Sequence, residues 1–183
     1  MPDTKPIRCF LGVPVDATFT ALLRPLCAAL QMQPWAGSLR WVEPHNLHLT
    51  LAFLGDQPLE LIPSLQRKLL VSLASLPAFQ LTGDRLSGFP DAKSSILALE
   101  FHTCDALQQL KTRVDETLRQ EGLVPDQRPL RPHITLARGS RGQQLPWQSQ
   151  PCELRLPVGS VTLFQSVAGA AGSDYRALWS IAL

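Results

Sequence analysis

Apolar residues in this chain recur with two different periods, and the alternation between them outlines the elements. Residues 7–13 ("IRCFLGV") are a short apolar run of strand formers, followed by Pro14 and by a stretch, 16–33, that reads as helix. Pro25 falls inside that helix and should kink or divide it, because an interior proline loses a backbone hydrogen bond and crowds the preceding turn. A loop with a short extended piece at 40–42 leads to a strand at 48–54, which Gly55-Asp56 should stop. Leu61, Ile62, Leu65, Leu69, Leu73 and Leu76 keep helical spacing over 59–76, and Leu107, Leu110, Val114 and Leu118 do so over 105–121, with Gly122 as a stop. Residues 79–86 and 96–101 look extended across the turn-rich "SGFPDAK". Further strands are predicted at 134–137, 161–167 and 175–183, with "RGSRGQQLPWQSQP" forming turns.

Strands and helices in this order indicate an α+β protein. The recurrence of His-x-Thr-Leu-Ala at the end of two comparable blocks, "HLTLAFLG" from His48 and "HITLARG" from His133, suggests two similar lobes that deliver two equivalent strands to one cleft. The expectation is one two-lobed domain over residues 1–183, since the chain contains no low-complexity stretch and no long linker.

Composition narrows the classes without choosing among them. A hydrophobic content of 45% over 183 residues is enough for a buried core. A formal charge of +2 announces no nucleic-acid coat, although local basic patches stay open. The start, "MPDTKPIRCF", is not a signal sequence and no apolar run is long enough to span a bilayer, so a cytoplasmic protein without membrane attachment is expected, acting as a monomer. Cys9, Cys27, Cys104 and Cys152 are scattered with no CxxC pair, which speaks for free, largely buried thiols and against a zinc knuckle.

The repeated motif carries the chemistry. Successive side chains of a strand point to opposite faces, so His48 and Thr50 share one face while Leu49 and Leu51 take the other, and His133 and Thr135 likewise oppose Ile134 and Leu136. Each pair stands about 7 Å apart along its strand and can converge on one small anion. A lone His-x-Thr is commonly just the polar face of a strand; two copies in a chain with four histidines are harder to explain that way. Two imidazoles across a cleft suit a reaction in which one proton is removed and another delivered, because a neutral and a charged histidine coexist near neutrality. Threonine hydroxyls and a cation would then hold the nonbridging oxygens as charge builds on phosphorus, and Arg138 is the candidate cation. Such a site requires neither metal nor cofactor.

"RWVEPHNLHLTLAFLGD", "RPHITLARG", the opening "RCFLGVP" and the tail "LFQSVAGAAGSDYRALWSIAL" together resemble the 2H phosphoesterase superfamily, and within it the RNA 2′,3′-cyclic phosphodiesterases, also called 2′-5′ RNA ligases. The resemblance covers nearly the whole chain. It implies His48 and His133 as the catalytic pair, Thr50 and Thr135 as phosphate-binding hydroxyls, and Arg138 as a phosphate contact. It also implies two antiparallel sheets flanking a central cleft, with helices outside. The implied activity is metal-independent hydrolysis of a terminal 2′,3′-cyclic phosphate to a 2′-phosphate on RNA ends or small cyclic nucleotides, with reversible, ATP-independent 2′-5′ joining of RNA. It leaves open which histidine is acid and which base. The chain departs from the family where an aromatic residue often precedes the second motif and Leu130-Arg131 stands instead.

Other residues divide between chemistry and packing. Phe53, five residues after His48, faces the core by parity unless a bulge intervenes. Arg128 and Arg131 either steer an RNA backbone or are solvated loop arginines. Trp35, Trp41 and Trp147 either stack bases or pin loops. His45 and His102 read as loop and strand-end residues, and Tyr175 has no assigned role. A noncatalytic RNA-end or nucleotide-binding module using the same cleft is the alternative; a zinc hydrolase is disfavoured by the histidine spacing.

Overall fold

A computed structural model of the chain describes residues 5–140, 142–143, 148–169 and 172–183. Strand β1 (Ile7–Pro14) runs into helix α1 (Ala17–Gln31), whose first turn is capped by the Asp16 carboxylate accepting from the Phe19 N–H at 2.6 Å. α1 continues through Pro25 without dividing, because buried Phe19, Leu23 and Leu30 anchor it on both sides of the proline. Then follow β2 (Arg40–Trp41), β3 (His48–Gln57), α2 (Leu61–Leu73), β4 (Phe79–Gly88), β5 (Ile96–Phe101), α3 (Asp105–Gln120), β6 (His133–Arg138), β7 (Gln150–Pro151), β8 (Arg155–Val158), β9 (Ser160–Gly169) and β10 (Gly172–Ala182). β3 runs past the expected stop at Gly55, which takes φ +71° inside the strand. The short strands β7 and β8 are additions to the elements read from the sequence, since two and four residues give no usable period.

The α+β reading holds, with antiparallel pairing throughout. The sheet runs β10-β9-β1-β3-β6-β5-β4-β7, with β2 beside β6 and β8 beside β4. In place of the two separate sheets expected, β10-β9-β1-β3 and β6-β5-β4 are the halves of one continuous sheet, joined through one residue pair, Leu49 opposite Ile134. Those two side chains, with Leu51 and Leu136, point into one core with Phe19, Leu23, Leu65, Leu69, Leu107, Leu110 and Val114 from the three helices. The helices therefore cover the face opposite His48 and His133.

Trp35 and Trp41 lie partly buried against this core, which favours the packing reading for both; Trp147 lies outside the described residues. The four cysteines are unpaired, with Cys9 buried. No helix among the described residues is long and apolar enough to cross a membrane.

Candidate active site

The single pair Leu49–Ile134 sets the geometry of the site. Carried one residue each way, that antiparallel register puts His48 across from Thr135 and Thr50 across from His133, so each histidine faces the other motif's hydroxyl. Around this junction lies a cleft of about 300 Å³, lined by His48, Thr50, His133, Thr135 and Arg138 together with Phe10, Phe53 and Tyr175. Among the described residues neither threonine hydroxyl nor the Arg138 guanidinium has a hydrogen-bond partner. They are free to meet an anion.

Parity alone would send Arg138 and Phe53 to the core, since each lies five residues beyond its histidine. A bulge in each motif reverses this. Against β1, Ala52 pairs with Leu11 and Thr50 with Gly12, which leaves Leu51 as an extra residue; against β5, Ala137 pairs with Leu97 and Thr135 with Ala98, which leaves Leu136 extra. The doubled buried positions Leu51-Ala52 and Leu136-Ala137 mark the bulges, and the residue after each emerges on the cleft side. The core assignment of Phe53 is thus overturned: it is 73% exposed, at the cleft.

Both histidines are held alike. The His48 Nδ1–H donates to the Asn46 carbonyl at 2.7 Å, and the His133 Nδ1–H to the Arg131 carbonyl at 2.9 Å, in each case two residues back. A carbonyl can only accept, so Nδ1 carries the proton in the neutral ring and Nε2 is the atom left to take or give one. Asn46 was not singled out by its sequence. Its buried amide donates to the Ser173 carbonyl at 3.0 Å and accepts from the Tyr175 N–H at 2.9 Å, tying β10 to the first motif.

The surroundings differ. His48 sits among rings, 4.7 Å from Phe10, 5.8 Å from Phe164 and edge-on to Tyr175 at 5.0 Å, which gives Tyr175 a place. Burial drives its pKa down to about 4, against the Asn46 carbonyl, which favours the charged ring; Arg138 and His133 push further down. His133 stacks on Phe89, with centroids 3.7 Å apart and rings 20° from parallel. Burial lowers its pKa too, while the Arg131 carbonyl and the Glu100 charge oppose the shift and Arg138 and Arg131 reinforce it. At neutral pH both rings of the empty site are largely uncharged, and either Nε2 can act as a base. The Cys9 thiol at the cleft is pushed up to about 11 by burial and by Asp56, so it stays protonated and is no nucleophile.

The remaining candidates lie elsewhere. Arg131 is a half-exposed loop residue whose guanidinium pairs with Glu100 at 2.9 Å, whereas Arg128 is exposed and bonded to its neighbour Asp126. His45 contacts Asp174 at 3.3 Å and His102 lies 3.8 Å from Asp84, both exposed. Among the described residues no three His, Cys, Asp or Glu side chains gather as metal ligands would.

Comparison with known proteins gives a consistent picture. The model of the 2′-5′ RNA ligase superfamily matches residues 25–169. An RNA 2′,3′-cyclic phosphodiesterase of Bacillus subtilis is 29% identical over 171 residues, covering 90% of each chain, and one of Aquifex aeolicus is 33% identical over 142 residues, 73% of this chain and 71% of its own. E. coli LigT in complex with 3′-AMP superposes with a TM-score of 0.77 at 28% identity, over 97% of this chain and 98% of LigT. A Thermus thermophilus structure reaches a TM-score of 0.81 at 25% identity over the same shares.

Proposed function

Because the chain belongs to the 2′-5′ RNA ligase superfamily of phosphoesterases, we propose that it hydrolyses the 2′,3′-cyclic phosphate at RNA ends, without a metal, to a 2′-phosphate. The observation that carries this reading is the convergence of two imidazoles, two threonine hydroxyls and one guanidinium on a single cleft. Nε2 of one neutral histidine takes a proton from water as its oxygen attacks phosphorus. The bond from phosphorus to O3′ breaks, and Nε2–H of the other histidine protonates that oxygen, leaving a 2′-phosphate and a free 3′-hydroxyl. Thr50, Thr135 and Arg138 hold the nonbridging oxygens, whose negative charge grows in the transition state. Phe53, exposed beside the phosphate site, offers a ring on which the terminal base stacks. With an RNA 5′-hydroxyl replacing water, the same displacement forms a 2′-5′ linkage without ATP. The protein acts in the cytoplasm on RNA ends or small cyclic nucleotides.

Incubation of 2′,3′-cyclic nucleotides and cyclic-phosphate-ended RNA in EDTA, followed by ³¹P NMR, tests this. The expected product is the 2′-phosphate, and loss of turnover to chelator would overturn the reading. Binding of RNA ends with no turnover of either substrate would instead identify a noncatalytic RNA-end module.

A further inference from the structure

The His133 ring is anchored at one atom by the Arg131 carbonyl, which leaves its plane to be set by whatever lies against it. That is Phe89, from the connection between β4 and β5, whose own N–H donates to the Ile96 carbonyl at 2.9 Å. Arg131 lies against the same ring, its guanidinium carbon 4.7 Å from the centroid. Nη1 of Arg131 donates to the Pro90 carbonyl at 2.8 Å and Nη2 to Glu100 Oε2 at 2.9 Å. Glu100 stands directly opposite His133 across β5 and β6, is 7% exposed, and also accepts from Ser87 Oγ and from Arg85 Nε at 3.2 Å. Burial alone would raise its carboxyl, yet these three donors hold it below the usual carboxylate range.

We propose that Phe89, Arg131 and Glu100 form a positioning unit for His133, in which Glu100 fixes Arg131, Arg131 braces Phe89, and Phe89 sets the plane of the imidazole. This rests on the phosphodiesterase reading above only for its kinetic consequences. Only the Glu100 side of this ion pair is buried, and a half-exposed pair contributes little to stability, so orientation is the gain from forming it. The four residues come from three parts of the chain and close a circuit around one ring. Of the charged groups acting on His133, Glu100 favours the charged ring, and Arg138 and Arg131 oppose it.

The test compares Phe89→Leu, Phe89→Tyr and Glu100→Gln with the unaltered protein. His133 is titrated by NMR of its ring in the free protein, and kcat and KM are measured on a 2′,3′-cyclic nucleotide. Phe89→Leu is expected to lower kcat about ten- to a hundredfold with KM within about threefold, since the ring is misaligned rather than the substrate lost. Phe89→Tyr should restore kcat to within about threefold, which separates stacking from bulk. Glu100→Gln should move the His133 titration down, since the charge that favours the protonated ring is removed. An unmoved titration in Glu100→Gln, or an undiminished kcat in Phe89→Leu, overturns the proposal. If the unaltered protein turns over no cyclic phosphate while Glu100→Gln still moves the His133 titration, the positioning unit stands and the reaction falls.

Discussion

His48 and His133 occupy the same five-residue motif, the same bulged strand and the same bond to a carbonyl two residues back, yet their environments have little in common. Around His48 the side chains are Phe10, Phe164 and Tyr175, so its preference for the neutral form is set mainly by lost hydration. Around His133, one aromatic ring is backed by Arg131, Glu100, Arg85 and Ser87, so a charge network acts as well. The same contrast recurs at the position five residues on, where the bulge presents Phe53 in one half and Arg138 in the other. One half offers flat apolar surface, fit for a base, and the other offers charge, fit for phosphate. A backbone device used twice thus builds a site with two unlike walls, as an asymmetric substrate requires.

The largest expected effect treats the halves as equal partners. His48→Ala and His133→Ala should each lower kcat by about 10²- to 10⁴-fold in steady-state cyclic phosphate hydrolysis, and the double variant should lose little more than the worse single one. Near-full activity in either single variant would break the symmetry of the pair.

The residues after the bulges should then separate. If Arg138 holds the phosphate common to all substrates, as proposed, Arg138→Ala should lower kcat/KM by about 10²- to 10³-fold on every one of them. Phe53→Ala should cost about ten- to a hundredfold on cyclic nucleotides and nothing on a base-free cyclic phosphodiester. A penalty on the base-free compound would mean that Phe53 supports the fold instead.

The pH profile probes the unlike surroundings. Both pKa values are lowered from 6.5, that of His48 to about 4. A reaction needing one neutral and one charged ring gains its base as pH rises through the lower value and loses its acid as pH rises through the higher one. The optimum of kcat/KM, which reports the free protein, should therefore lie between about pH 4 and 6.5. The kcat profile should lie at higher pH, because bound phosphate favours charged imidazoles. A kcat/KM optimum above pH 7 would contradict the lowered values.

The smallest effects concern the scaffold. A Cβ on Gly12 would come within 2.9 Å of the Leu49 carbonyl, beside His48, so Gly12→Ala should cost about 1–3 kcal/mol in denaturant unfolding. Asn46→Ala removes two buried hydrogen bonds to β10 and should cost about as much, with a fall in kcat that no change near His133 accompanies.

Much of this could be read from residue order. Apolar spacing located β1, β3, β5, β6, β9, β10 and three helices, because each buries one face against a common core and that need is written at period two or 3.6. The repeated motif drew attention to His48, Thr50, His133 and Thr135 for the same reason, polar against aliphatic on one strand, and to Arg138 as the cation at the end of the second copy. Bulges, by contrast, leave no mark in the period; they depend on the partner strand, so parity sent Phe53 the wrong way. Arg138 lies equally far past its histidine and reaches the cleft through a bulge that parity did not foresee. Nor did Pro25 divide α1, since anchoring by Phe19, Leu23 and Leu30 outweighed one lost hydrogen bond.

The sequence by itself determined the elements, the core face of each strand and the pair of His-x-Thr motifs, all of them consequences of nearest neighbours and a short period. Only the tertiary structure decided that Leu49 meets Ile134, that Phe53 and Arg138 turn into the cleft, and that Phe89, from the β4–β5 connection, and Glu100, from β5, reach His133. Those contacts join residues tens of positions apart, and their geometry is set by how distant strands meet in one twisted sheet, which no local pattern of residues encodes.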